Sequence, residues 1–144
     1  MAVLREMRAA DYQAVMALWR QAEGMTLRDA DSEPSIAAYL QRNPGLSFVA
    51  VAQQQLVGAV LAGTDGRRGY LQHLVVAKAY RSQGLGRQLV AQVVAAFKCQ
   101  GIAKTHLFVH LDNLHAQQFY QSLNWFPRDE VRMFSFNASS NPEV

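Results

Sequence analysis

The sequence predicts an α/β fold of the α+β kind: a mixed, mostly antiparallel central sheet of six to seven strands with about four helices. Two observations carry this. Three β-branched, apolar runs, Leu46–Ala52, Leu56–Gly63 and Tyr70–Val76, follow one another with turn signals between them, which is the pattern of consecutive antiparallel strands. The third run is followed by a long apolar stripe at helical spacing and then by another β-rich run, Thr105–Leu111. A strand, a helix of about five turns and a strand in that order imply a parallel pair joined by a right-handed crossover.

The elements can be taken in chain order. Alternation from Val3 to Arg8 reads as a short first strand, and Asp11 is placed to cap a helix carrying Val15, Leu18, Trp19 and Ala22, which Gly24 ends. After a polar, acidic stretch, Ser32 or Ser35 can cap a second helix with Ile36, Tyr39 and Leu40, and Asn43-Pro44-Gly45 stops it. Gln53-Gln54-Gln55 suits a hairpin between the first two long runs, and Asp65-Gly66-Arg67-Arg68-Gly69 turns the chain into the third. From Gly84 to Gln100 the positions Leu85, Leu89, Val93 and Phe97 form an i, i+4 stripe, and Gly101 terminates this best-defined helix. Asn113–Leu123 predicts another helix and Arg128–Phe136 a last strand. Residues 137–144, rich in Ser, Asn and Pro, read as a flexible tail beyond a single domain spanning 1–136.

Composition narrows the function classes. With 144 residues, 50% of them hydrophobic and 17% charged, the chain suits one globular domain and is too apolar for a disordered segment. Its net charge of +3 is too small to suggest a protein that coats nucleic acid. That total hides an uneven distribution. Between Gly66 and Leu111 there is no acid, while Arg67, Arg68, Lys78, Arg81, Arg87, Lys98 and Lys104 contribute +7; the flanks on either side are each net −2. One cysteine, Cys99, supports neither a disulfide framework nor a multi-cysteine zinc site, so the cytoplasm is the expected compartment. The spacing of His106, His110 and His115 argues against a metal, and no run of apolar residues is long enough to enter a membrane.

The acid-free block centres on Arg81-Ser82-Gln83-Gly84-Leu85-Gly86-Arg87, between the Tyr70–Val76 strand and the strong helix. Two glycines one residue apart let backbone N–H groups and the first unpaired helix donors converge on an anion, with Lys78, Arg81 and Arg87 around it. A phosphate or pyrophosphate fits this charge. The dinucleotide fingerprint does not, because Leu89 stands where a third small residue is needed and no acid follows at the required distance; a P-loop sequence is absent as well.

Arg81-Ser82-Gln83-Gly84-Leu85-Gly86 resembles the Q/R-x-x-G-x-G/A acetyl-CoA signature of the GNAT superfamily of N-acetyltransferases. A second block, from Asn113 through Ala116, Tyr120 and Asn124 to Trp125, is similar to that family's N-x-x-A-x-x-x-Y-x-x-x-G-F pattern, with Asn124 in place of the glycine. The order of elements agrees over nearly the whole chain, and the Asp65–Gly69 turn weakly resembles that of small stand-alone bacterial members such as the YpeA-like group.

The resemblance implies a GNAT-type fold whose fourth and fifth strands splay apart. It implies an acyl-CoA cosubstrate, acetyl-CoA by default. Leu74, Val75 and Val76 would hydrogen-bond the pantetheine arm, and Arg81, Ser82, Gln83, Gly84, Leu85, Gly86 and Arg87 would hold the pyrophosphate. Asn113 and Tyr120 would contact the arm, with Tyr120 also protonating the leaving thiolate; a core tyrosine would produce the same pattern. The expected function is therefore transfer of acetyl to a primary amine, on a small molecule or a protein, by direct attack in a ternary complex. A monomer or homodimer is expected.

The base is the open element. An alkylammonium, with a pKa near 10.4, must lose a proton before attack. Phe108 and Tyr70 stand where relatives carry acids. His73 is the nearest titratable group on its strand; water, or Glu23, Asp29, Asp31 or Glu33, are alternatives. Those four acids would also attract a cationic amine, or simply form a solvated face. Two rival readings follow: a non-catalytic acyl-CoA-binding sensor, and an enzyme with an RNA-linked acceptor that uses the basic block as a phosphate track.

Overall fold

In the computed structural model, which describes residues 1–144, the three central runs pair as read. Five strands form one sheet in chain order: β1 (Val3–Glu6), β2 (Phe48–Ala52), β3 (Gln55–Thr64), β4 (Gly69–Val76) and β5 (Thr105–His106). The first four are antiparallel to their neighbours; β5 joins β4 in parallel. The helices are α1 (Tyr12–Gln21), α2 (Glu33–Arg42), α3 (Leu85–Cys99) and α4 (Leu114–Ser122). None is long and apolar enough to cross a membrane.

Side-chain alternation splits the core into two layers. Phe48, Ala50 and Ala52 of β2 face one way and meet Leu85, Leu89, Val93 and Phe97 of α3, all of them buried. Val49 faces the other way, with Ala59 and Leu61, onto Val15, Leu18 and Trp19 of α1 and Ile36 of α2. The stripe on α3 is thus the seam along which that helix covers one sheet face.

Several local expectations need correction. Asp11 does not cap α1 through its side chain. It closes a 3-10 turn ahead of that helix, accepting the Arg8 amide at 2.8 Å while both carboxylate oxygens pair with Arg5. Ser32 does cap α2, and the hairpin turns on Gln53 and Gln54, both with positive φ.

The sheet has five strands rather than six to seven. Arg128–Phe136 forms no strand, and Val131, Met133, Phe134 and Phe136 are exposed. The reason lies in the edge it would need. The expected strand at Thr105–Leu111 shrinks to two residues, because the ladder to β4 ends at the Tyr70–His106 pair, so a further strand has almost no neighbour to join. The tail after Phe136 meets the segment before α2: Glu143 pairs with Arg28 at 3.0 Å, and Asn141 donates to Asp29.

Candidate functional site

Beyond Tyr70, β4 runs on for six residues without β5 beside it, and the two strands part. An exposed strand edge of this kind offers unpaired backbone groups to an extended ligand. At the end of β4 the chain enters the glycine turn. Arg81 folds back so that its Nε donates to the Val76 carbonyl at 3.0 Å. Ser82 and Gly84 have φ of 64° and 81°, in the left-handed region. The first helical bond of α3 runs from the Gln88 amide to the Gly84 carbonyl, which leaves the amides of Leu85, Gly86 and Arg87 without helical partners.

A Cβ built on Gly84 would meet nothing within 4 Å, so the space over the turn is open. At Gly86 the constraint is different: a Cβ there would lie 3.3 Å from the Phe119 ring, so this glycine lets α4 pack against the start of α3. Open space, three free amides and the cations Arg81 and Arg87 together fit a phosphate group.

Of the other residues singled out in the sequence, Leu74 and Val76 flank the α3 layer and Val75 is buried in the opposite one. Asn113 accepts the Ala116 amide and so caps α4. Tyr120 borders the same layer as Leu74 and Val76, packed between Phe119 and Trp125 at ring distances of 5.0 and 5.7 Å. Burial pushes its hydroxyl well above the usual tyrosine range, so it stays protonated.

His73 has a more particular setting. The β3–β4 register slips between Ala59 and Leu61, so that His73 and Leu74 together oppose Val60: β4 carries a bulge. His73 adopts φ 51° there. Its carbonyl leaves the ladder to accept the Trp19 indole N–H at 3.1 Å, and its ring lies 4.9 Å from that of Trp19. Strict alternation after Leu71 would send His73 toward α3. The bulge turns it to the α1 side instead, next to Gln72.

On that side the His73 Nε2 lies 2.9 Å from Asp31 Oδ1. Asp31 is only 7% exposed, and its other oxygen accepts the Arg28 amide at 3.0 Å. Burial alone would raise this carboxyl, but the hydrogen bonds from His73 and the Arg28 amide, with the imidazole charge, outweigh it and hold the group below the ordinary carboxylate range.

Asp31 and Gln72 line a cleft of about 590 Å³ between α2 and the sheet, with Ser35, Tyr39 and Arg42. The other acids of this region stay apart from the histidine: Glu23 is exposed, Asp29 meets Asn141, and Glu33 meets Gln13. Phe108 is 65% exposed. The sequence reading missed the contact of Trp19 with the bulge and did not separate Asp31 from its neighbours. One signal was present, since Arg28-x-x-Asp31 repeats the Arg8-x-x-Asp11 spacing that closes a 3-10 turn.

An open strand edge beside an amide-lined glycine turn has the form that suits an extended, phosphate-bearing ligand. Residues 10–125 match the family model for the acetyltransferase (GNAT) family, and the chain belongs to that family and is an acetyltransferase. It is 30% identical over 122 residues to an acetyltransferase of Pectobacterium atrosepticum, covering 85% of this chain and 86% of that protein. An acetyltransferase of Sodalis glossinidius is 29% identical over 128 residues, with 89% of each chain covered.

Among solved structures, an aminoglycoside N-acetyltransferase in complex with CoA superposes with a TM-score of 0.78 at 18% identity, covering 96% of both chains. Diaminobutyrate acetyltransferase from Paenibacillus lautus, in complex with its substrate and coenzyme A, gives 0.73 at 20% identity, over 85% of this chain and 74% of that one. These likenesses concern the fold.

Proposed function

We propose that the protein transfers acetyl from acetyl-CoA to a primary amine, on a small molecule or a protein, by direct attack in a ternary complex, and that residues 1–136 form the transferase domain. The observation that carries this reading is the parting of β4 from β5 directly beside the Gly84–Gly86 turn. The pantetheine arm would lie along Leu74–Val76, and the pyrophosphate on the amides of Leu85–Arg87 with Arg81 nearby. CoA-bound neighbours of the same fold support this placement.

The bulge gives the two proton-handling groups opposite sides of the strand. Tyr120 borders the α3 layer, while His73 faces α1, bonded to Asp31 of the cleft lining. In this scheme His73 takes a proton from the alkylammonium, and the neutral nitrogen attacks the thioester carbonyl carbon. Backbone N–H groups at the bulge stabilise the resulting oxyanion. The attacking nitrogen gives its second proton to solvent, the C–S bond breaks with its electron pair staying on sulfur, and Tyr120 protonates the thiolate. The products are the acetamide and CoA; solvent returns the proton that Tyr120 gave up and takes the one held by His73.

A panel of primary amines incubated with acetyl-CoA, with free thiol followed over time, tests this reading. Thiol release with at least one amine is expected, together with calorimetric CoA binding. Absence of CoA binding overturns it. Binding without turnover on any amine would assign the rival role of an acyl-CoA-binding sensor.

A further inference from the structure

We propose that Asp31 is a positioning residue that selects the tautomer of His73, so that the imidazole presents Nδ1 as the proton acceptor for the incoming amine. This rests on the reading of His73 given above and deepens it. The geometry supplies the argument. Asp31 and His73 are 42 residues apart, yet three independent features converge to hold them together.

The first is the bulge, which turns His73 out of the β4 alternation. The second is Trp19, whose indole N–H takes the displaced His73 carbonyl and whose ring packs on the imidazole. The third is the 3-10 turn at Asp29–Asp31, closed by the Asp31 carboxylate on the Arg28 amide and tied to α1 where the Tyr12 hydroxyl donates to the Asp31 carbonyl at 2.7 Å. Neither side of the pair is free to turn away.

An ionised carboxylate only accepts hydrogen bonds. Its contact with Nε2 therefore requires the hydrogen on Nε2, and a neutral imidazole then carries its lone pair on Nδ1. When Nδ1 takes the ammonium proton, the ring becomes an imidazolium, and the Asp31 charge stabilises that cation without itself being protonated. The proton leaves Nδ1 for solvent and the same tautomer is restored.

Other charged groups lie around Asp31 rather than on the ring: Arg42 toward α2, and Arg20, Arg28, Asp29 and Glu143 on the outer side. From α1 the ring meets Trp19, and the β3 side chains on that face of the sheet are the apolar Ala59 and Leu61. Asp31 is thus the single charged side chain bonded to the imidazole.

The test combines kinetics with a direct view of the ring. In Asp31→Asn, kcat/KM for the amine should fall about 100-fold, the scale of a lost general base, while calorimetric affinity for CoA stays unchanged. The acidic limb of the kcat/KM profile should move to lower pH, because a carboxylate that favoured the protonated ring is gone. In a His73→Gln background the same change should cost less than twofold, since Asp31 acts through His73.

Nitrogen-15 NMR of histidine-labelled wild type should show the Nε2–H tautomer, and this measurement decides even if Asp31→Asn does not fold. An Nδ1–H tautomer, an unmoved acidic limb, or additive losses in the double variant overturns the proposal while leaving CoA binding and acetyl transfer intact. A wild-type protein that binds no CoA overturns the proposal together with the reading beneath it.

Discussion

Buried ionisable groups make the fold of this protein sensitive to acid. Asp11 is held below the usual carboxylate range by its hydrogen bonds with Arg5, against a cost of burial, and by the Arg8 amide; Asp31 is held low as described. Each folded value lies below the unfolded one, so each group stabilises the fold above its unfolded pKa, about 3.9. That contribution disappears as the pH falls through the folded values. Urea midpoints should therefore drop between pH 5 and pH 2, and Asp11→Asn should flatten the drop.

Tyr120 gives a sharper residue-scale expectation. Tyr120→Phe keeps the packing on Phe119 and Trp125 but removes the proposed acid, so kcat should fall by about 10- to 100-fold with little change in acetyl-CoA affinity, measured by steady-state kinetics and calorimetry. The tyrosine was legible in the sequence as part of a spaced motif. The partner of His73 was not: Glu23, Asp29, Asp31 and Glu33 look alike along the chain, and only the path of the 3-10 turn buries Asp31 and leaves the others exposed.

Elements were legible in proportion to how much of their pattern is local. The α3 stripe needs only its own sequence, and Leu89, Val93 and Phe97 are each 0% exposed. A strand, by contrast, exists only if a neighbouring edge accepts it. Thr105–Leu111 and Arg128–Phe136 have β-like composition, yet β5 pairs through only two residues and the last run has no partner. Pattern alone could not reveal the bulge in β4 either, since His73 there has φ 51°, which no motif announces.

The junction of β4 with α3 is correspondingly unforgiving. A Cβ on Gly69 would lie 2.7 Å from the ring of Phe97, which is fully buried. Gly69→Ala should cost about 1–3 kcal/mol in chemical denaturation, the range for an overpacked core. Because Gly69 also opens the short ladder to β5, the strain falls where β4 and β5 are still paired.

For the molecule as a whole, the uneven charge in the sequence acquires a spatial meaning. Arg81 and Arg87 flank the glycine turn at one end of β4, and Asp31 lines the cleft on the other side of that strand. The tail contributes little to this frame, for Arg28 and Glu143 are 46% and 74% exposed. Removing residues 137–144 should change stability by no more than about 0.5 kcal/mol and leave kcat unaltered, as thermal unfolding and thiol release would show.

The two tryptophans of the chain pack against opposite faces of the sheet. Trp19 is bonded to the bulge beside His73, and Trp125 is packed on Tyr120. The protein accordingly carries two intrinsic fluorophores, one reporting on the side where an amine would arrive and the other on the side where a thiol would leave. A single-tryptophan form retaining either one would follow changes on its own side of the sheet by emission alone, without a label.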